Sequence, residues 1–315
     1  MHVLINGWFL NQLTTGSGQY VHQLMAQLAQ HAGPIRFTLL CPATQRTPQA
    51  ELWPDITLAY RPLPSLPSNL RKLWWEQVTI PLAARRLRAD LLWVPYWAAP
   101  LWQPCPTVVT VHDLIHHLLP AYRGGRLQRL YTRLVSYTAQ RAAGVITVSH
   151  AAARDIVAQL QIPGGRVHVV YNGAQPEADR PDAALLAAVR QKYGLPPRFF
   201  LYLGGFDVRK NVRTTLQAYR RYLDRGGDPA VRMVIAGRLP AQDTPFTPDP
   251  QKIAAELDLT SQVQFCGWIE EREKSAFYAL ATAYLFPSFY EGFGLMVIEA
   301  MQAGTPVITS GEFRE

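Results

Sequence analysis

Two doubly wound α/β domains are predicted for this chain, and three observations predict them. Short apolar runs alternate with helical patterns along the whole sequence. A polar, proline-containing stretch interrupts the alternation midway, after which it restarts. Several apolar runs end in glycine-bearing loops that lead into helices, as at the carboxyl ends of buried parallel strands, where an open sheet keeps its ligand crevice. A length of 315 residues suits two domains, and 48% hydrophobic against 17% charged residues excludes a disordered chain.

The first domain is assigned to residues 1–175. Val3 to Ile5 reads as its first strand, and Val21, Leu24, Met25 and Leu28 share one face of the helix that follows. Between them Gly16-Ser17-Gly18 fits either a plain turn or a backbone approach to phosphate or sugar. Valine at position 21 denies it the third glycine of a dinucleotide fingerprint, which weakens an oxidoreductase reading. Phe37 to Leu40, Ile56 to Tyr60 and Leu91 to Val94 are further strands, with a helix over Asn69 to Arg88; tryptophans 74, 75, 93, 97 and 102 fit a core better than a carbohydrate-stacking surface, and no role is assigned to them. Thr107 to Val111 ends in His112-Asp113, so His112 lies where loop residues reach a crevice, while Asp113 suits either the cap of the next turn or the holding of an active-site loop. His116 and His117 lack companion ligands for zinc. Arg123 to Ala143 forms an amphipathic helix with Leu127, Leu130, Tyr131 and Leu134 on one face and Arg123, Arg126, Arg129 and Arg133 on the other. Val145 to Val148 and Val167 to Val170 are strands, Ser149 caps the helix from His150, and Gly173 to Pro181 is the linker.

The second domain, residues 176–315, has strands at Phe199 to Leu203, Met233 to Ala236, Val263 to Cys266, Ala283 to Phe286 and Val307 to Thr309. Its first strand runs into a glycine loop through Gly205 to Arg209-Lys210, ahead of a helix from about Asn211. An arginine fork and a compact ammonium there suit a diphosphate without a metal ion. The fourth strand leads through Ser288 to Pro306: Gly292, Phe293 and Gly294 open a helix at Leu295 whose N-terminus makes an anion site, and Gly304 suits the left-handed position past its end. Glu291 and Glu299 frame this element in an E-x7-E spacing, with Glu299 placed to accept a ribose diol and Glu291 nearer the reacting end.

The stretch FPSFYEGFGLMVIEAMQAGTPVITS resembles the signature of the retaining glycosyltransferases of family 4, which have the GT-B fold, and VTVHDLIHHLLP resembles the first-domain motif of their mannosyltransferase-like branch. The resemblance implies two Rossmann-like domains with a cleft between them, the first on the acceptor side and the second holding a nucleotide diphosphate sugar. A sugar, with mannose from GDP-mannose the best candidate, would pass to an acceptor hydroxyl with retained anomeric configuration, in polysaccharide or glycolipid biosynthesis. His112, Arg209, Lys210 and Glu291 would be the catalytic set. Gly16, Gly18, Gly205, Gly292, Phe293, Gly294, Leu295 and Glu299 would bind substrate, with no metal and no cofactor. A GT-B sugar-nucleotide epimerase and a non-catalytic carbohydrate- or nucleotide-binding protein stay open as alternatives. The family continues past the last residue here with a helix that crosses back to the first domain, so an incomplete second domain and an inactive fragment are expected.

Cys41, Cys105 and Cys266 are odd in number and far apart, which suits a reducing compartment. The longest apolar run, Leu91 to Trp102, is twelve residues with two prolines, too short for a spanning helix, and no basic leader precedes Val3. A cytoplasmic location is expected, with a peripheral position on the inner face of the membrane as a further expectation. Residues 1–175 carry 15 Lys+Arg against 6 Asp+Glu and residues 176–315 carry 16 against 17, so the halves are +9 and −1. That asymmetry fits an anionic partner for the first domain. A glycan or lipid-linked acceptor and an anionic membrane surface are the partners expected, not nucleic acid.

Overall fold

The computed structural model describes residues 1–13, 15–31, 33–45, 53, 55–173 and 181–310. The chain divides into two compact units, Met1–Tyr171 and Asn172–Glu315. The predicted boundary at 175/176 and most of the predicted linker fall on residues 174–180, outside the described ones.

The first unit runs β1 (His2–Asn6), α1 (Gly16–His31), β2 (Arg36–Pro42), β3 (Ile56–Arg61), α2 (Ser68–Trp74), α3 (Ile80–Arg86), β4 (Leu91–Val94), β5 (Thr107–Thr110), α4 (Ile115–Leu118), α5 (Arg126–Gln140), β6 (Gly144–Thr147), α6 (His150–Leu160) and β7 (Val167–Val169). Its seven strands lie in the order β3-β2-β1-β4-β5-β6-β7, every pair parallel. Chain order reverses direction beside β1, so the switch point lies between β1 and β4. Alternate residues of β1 feed two cores: Val3 and Ile5 join Val21 and Met25 of α1, while Leu4 joins Trp75, Ile80 and Val135 on the other face. Burial on both faces is why β1 and most of β2 read as continuous apolar runs.

Between α2 and α3 the chain widens into a π-helical turn, Trp75–Thr79. Pro81 lies just beyond it and has no N–H to donate back to Gln77, so the regular ladder cannot pass through this point. The widened turn sends both Trp75 and Glu76 into the interior at 0% exposure. The core reading of the tryptophans thus holds for Trp75, whereas Trp74 and Trp102 are exposed.

Helix α5 starts at Arg126 rather than Arg123, because Gly124 at φ +60 and Gly125 precede it. Its predicted apolar face is only partly inward. Val135, Thr138 and Ala139 are buried, and bonds from Trp97 Nε1 to the Val135 carbonyl and from Gln140 to the Leu160 carbonyl tie this carboxyl half to the unit. Leu127 and Leu130 are 83% and 63% exposed, alongside exposed Arg126, Arg129 and Arg133. Among the described residues no helix is long and apolar enough to cross a membrane.

The second unit runs α7 (Ala183–Tyr193), β8 (Arg198–Leu203), α8 (Val212–Asp224), β9 (Val231–Ala236), α9 (Pro250–Glu256), β10 (Val263–Gly267), α10 (Lys274–Leu280), β11 (Ala283–Phe286), α11 (Leu295–Gln302) and β12 (Val307–Thr309). Five parallel strands follow the order β10-β9-β8-β11-β12, with the switch point between β8 and β11. One face packs Leu201, Tyr284 and Phe286 on Phe277 and Ala300; the other packs Tyr202, Met233 and Ile235 on Leu216 and Ile253. The loops after β8 and β11 therefore leave the sheet side by side.

Candidate functional site

At the carboxyl edge of the second sheet one backbone position has no room for a side chain. Gly237, at φ +152, would place a Cβ 2.1 Å from the Gly204 carbonyl oxygen. Beyond Gly204 and Gly205 the chain makes a 3-10 turn at Val208–Lys210 and passes through Asn211 in the left-handed region at φ 55 before α8 begins. Asparagine tolerates that conformation, and here its Nδ2 donates to the Pro287 carbonyl at 3.1 Å. The Phe289 N–H donates to the Arg209 carbonyl at 2.9 Å, so the loop after β8 is stitched to the loop after β11.

That stitching brings three of the predicted catalytic residues together. Lys210 Nζ lies 2.7 Å from Glu291 Oε1 and 5.1 Å from the centre of the Phe286 ring. Arg209 Nη1 pairs with the same Glu291 oxygen and donates to the Tyr290 carbonyl at 3.1 Å, with its Nε 3.5 Å from Asp207. All three side chains are 12–15% exposed. Burial alone would raise the Glu291 pKa, but the Lys210 and Arg209 charges outweigh it and hold the carboxyl below its ordinary range. The result is two cations fixed on one carboxylate at a switch point, where an anion can approach without first ordering them.

Gly294, at φ +87, turns the chain into α11, so Gly292, Phe293 and Leu295 sit at the entry to that helix. Gly304 takes the expected left-handed conformation at φ +80. Glu299 stands apart from the Arg209–Lys210–Glu291 group. Both its oxygens are 3.2 Å from Lys274 Nζ, and Oε2 accepts from the Tyr278 hydroxyl at 3.1 Å. Lys274 and Tyr278 carry no glycine or strand-end signal, and sequence reasoning passed over both.

In the first unit, Gly18 lies within the first turn of α1 and is needed there: a Cβ would sit 2.1 Å from the Gln12 carbonyl oxygen. Gly16 opens the helix, and a Cβ on it would meet nothing within 4 Å. Thr15, also passed over, closes this loop by donating to the Gln12 carbonyl at 2.8 Å and accepting from the Gly18 N–H at 3.1 Å. His112 leaves the end of β5 with Nε2 3.3 Å from the Pro95 carbonyl and its ring edge-on to Tyr20 of α1 at 4.6 Å. Burial lowers its pKa against the pull of Asp113, so the ring is neutral at pH 7. Asp113 accepts from the Ile115 N–H at 3.0 Å, closing a turn ahead of α4, whose N-cap position is taken by Leu114 rather than by Asp113.

A buried polar network underlies the switch point of the first sheet. Asn6, the last residue of β1, accepts from Trp75 Nε1 and donates to the Tyr96 hydroxyl, each at 2.8 Å. Glu76 accepts from the Tyr131 hydroxyl at 2.9 and 3.1 Å and lies 3.4 Å from Lys72. Burial pushes the Glu76 carboxyl up, and Lys72 and Tyr131 pull it part of the way back. A single acid inside the apolar run LWWEQVTI was the available signal for it.

The profile described as Glycosyltransferase Family 4 matches residues 14–178, just over half the chain, and that described as Glycosyl transferases group 1 matches residues 187–313. The chain is similar to O-antigen chain mannosyltransferase B of Escherichia coli, 27% identical over 204 residues, 64% of this chain and 52% of that protein. It is also similar to O-antigen chain mannosyltransferase RfbU of Salmonella typhimurium, 24% identical over 319 residues, 98% of this chain and 82% of that protein. A 2-deoxystreptamine glucosyltransferase of Streptomyces kanamyceticus is 28% identical over 242 residues, 75% of this chain and 57% of that protein. The chain thus spans about half the length of the mannosyltransferase B it matches. Among solved structures, Anabaena HepE in complex with UDP superposes with a TM-score of 0.68 at 17% identity, over 99% of this chain and 81% of that one. WaaG, a glycosyltransferase involved in lipopolysaccharide biosynthesis, gives 0.63 at 18% identity over 99% and 82%. With both parallel-sheet units matched in these structures and both halves matched by profiles, the chain has the GT-B fold and belongs to glycosyltransferase family 4.

Proposed function

We propose that this glycosyltransferase moves a hexose, with mannose from GDP-mannose as the first candidate, from a nucleotide diphosphate sugar to an acceptor hydroxyl with retained anomeric configuration. The observation that carries the reading is the convergence of Arg209, Lys210 and Glu291 beside the N-terminus of α11 at the switch point of the second sheet. In this proposal the two cations and the helix N-terminus entered through Gly292, Phe293, Gly294 and Leu295 stabilise the departing diphosphate, with Gly205 leaving the backbone open to it. Glu291 keeps the cations oriented and meets the sugar. Glu299 accepts from the ribose. In the first unit, Gly16, Gly18 and neutral His112 address the donor and the transferred sugar. The acceptor oxygen bonds to the anomeric carbon on the face the diphosphate leaves, the bond to the phosphate oxygen breaks, and the acceptor proton passes to the departing phosphate. The sugar assignment draws on the mannosyltransferases among the relatives.

The acceptor is taken to be a glycan, free or lipid-linked, in polysaccharide or glycolipid synthesis, and α5 is taken to rest on an anionic membrane surface through its exposed leucines and arginines. A screen of GDP- and UDP-sugars by calorimetry and by nucleoside diphosphate release tests the donor. GDP-mannose should bind and be consumed. Preference for a UDP-sugar would overturn the mannose reading, and conversion of a sugar nucleotide with no acceptor present would replace transfer by epimerisation. Because Arg209 and Lys210 take the place of a metal in this proposal, release should persist in EDTA; complete loss restored by Mg²⁺ would overturn that part.

A further inference from the structure

We infer that Lys274 and Tyr278 are positioning residues for Glu299, fixing its carboxylate so that it selects a ribonucleotide over a deoxyribonucleotide. The inference rests on the proposal that Glu299 meets the ribose. Lys274 and Tyr278 lie four apart on α10, so they share one helix face, and that face is turned to Glu299. Lys274 Nζ is 3.2 Å from both carboxylate oxygens, and the Tyr278 hydroxyl adds a bond to Oε2 at 3.1 Å.

The anchor is itself held. Tyr278 is 1% exposed, and its ring packs edge-on to Tyr284 of β11 at 5.2 Å. Lys274 has a side chain only 18% exposed and is gripped from the outside by Glu271 at 2.6 Å. Burial alone would lower its pKa, but Glu299 and Glu271 outweigh that and leave it raised, so it stays an ammonium through neutral pH. A carboxylate has about four acceptor positions, and these contacts use three. What they leave is a carboxylate of defined orientation, 30% exposed, with one acceptor position open to a ribose hydroxyl. A free glutamate on a helix surface would have to lose its rotamer freedom on binding; this one has lost it already.

A plain alternative is that the pair only bolts α10 to α11, and the test separates the two. Calorimetry would compare GDP with 2′,3′-dideoxy-GDP, and UDP with 2′,3′-dideoxy-UDP, on the wild type, Glu299→Gln, Lys274→Met, Lys274→Arg and Tyr278→Phe, with melting temperatures measured on each. For the nucleotide the protein binds, the wild type should favour the ribose form by roughly tenfold or more. Glu299→Gln should erase most of that ratio. Lys274→Met should shrink it at least about threefold through weaker binding of the ribose form alone, Tyr278→Phe should shrink it less, and Lys274→Arg should restore part of it. If Glu299→Gln keeps the ratio, or the wild type shows none or binds neither nucleotide, the ribose reading falls and the inference with it. If Glu299→Gln erases the ratio while Lys274→Met keeps it, the ribose reading stands and the positioning role falls. Should Lys274→Met fail to fold, Tyr278→Phe decides, and an unchanged ratio there overturns the inference.

Discussion

Replacing Lys210 with alanine should lower turnover by roughly 10²- to 10³-fold, the usual effect of removing one charge from a developing anion. Arg209 still pairs with Glu291 in that variant, so the carboxylate is not orphaned and the loop should stay in place. A loss of tenfold or less, measured as nucleoside diphosphate release, would make Lys210 a structural cation. The same cluster gives a pH prediction. The folded Glu291 pKa is lowered from 4.5, so its ion pairs contribute stability that is fully present above pH 4.5 and lost as pH falls through the folded value. The melting-temperature advantage of the wild type over Glu291→Gln should therefore hold at neutral pH and shrink below 4.5; a gap that stays constant down to pH 3 would contradict the assignment. Arg209 and Lys210 could be picked out in the sequence because they follow glycines at a strand's end. Lys274 could not, since EEREK reads as a solvated charge run until the fold sets it against Glu299, 25 positions away.

Among the elements, the π turn at Trp75–Thr79 has the clearest energetic role, because it delivers a carboxyl group to the interior. Glu76 is held there by Lys72 and Tyr131, and removing one partner of a buried set leaves the others uncompensated. Glu76→Ala should cost about 3–5 kcal/mol, while Glu76→Gln, which keeps the shape and part of the hydrogen bonding, should cost less, about 1–3 kcal/mol. Denaturant titration of both would check this, and near-equal stability of Glu76→Ala and wild type would show the network to be dispensable. The helical character of this stretch was legible from its apolar spacing. The π turn was not, since Pro81 marks a break in the ladder without saying how the preceding turn responds. In α11, by contrast, Gly294 and Gly304 state both ends in advance, because each occupies a left-handed position that suits glycine.

Over the whole molecule, the sequence exposes the strands and hides the order in which they lie. Apolar runs at strand positions made β4, β11 and β12 legible to the residue, although β12 is not buried on both faces: its Ile308 is exposed. The switch points between β1 and β4 and between β8 and β11 depend on pairings far apart in the chain, which no local run encodes. Helix α5 shows the other limit, because an amphipathic pattern says that a helix has an apolar face but not what covers it. Leu127 and Leu130 stand exposed beside Arg126, Arg129 and Arg133 in the half of the chain that carries +9, and that combination leads to the final prediction. Each arginine near an anionic surface contributes about 1 kcal/mol, screened over roughly 10 Å at 0.1 M salt. The protein should therefore sediment with vesicles containing phosphatidylglycerol at low salt and release as salt rises, but ignore vesicles of phosphatidylcholine alone. Reversing the three arginines to glutamate changes the charge of this half from +9 to +3 and places the reversal at the contact, so sedimentation should disappear. Leu127→Ser with Leu130→Ser should weaken binding while leaving its salt dependence intact, since those side chains contribute burial rather than charge. Equal sedimentation of the arginine variant and the wild type would remove the membrane from the proposal and leave α5 as a solvated outer helix.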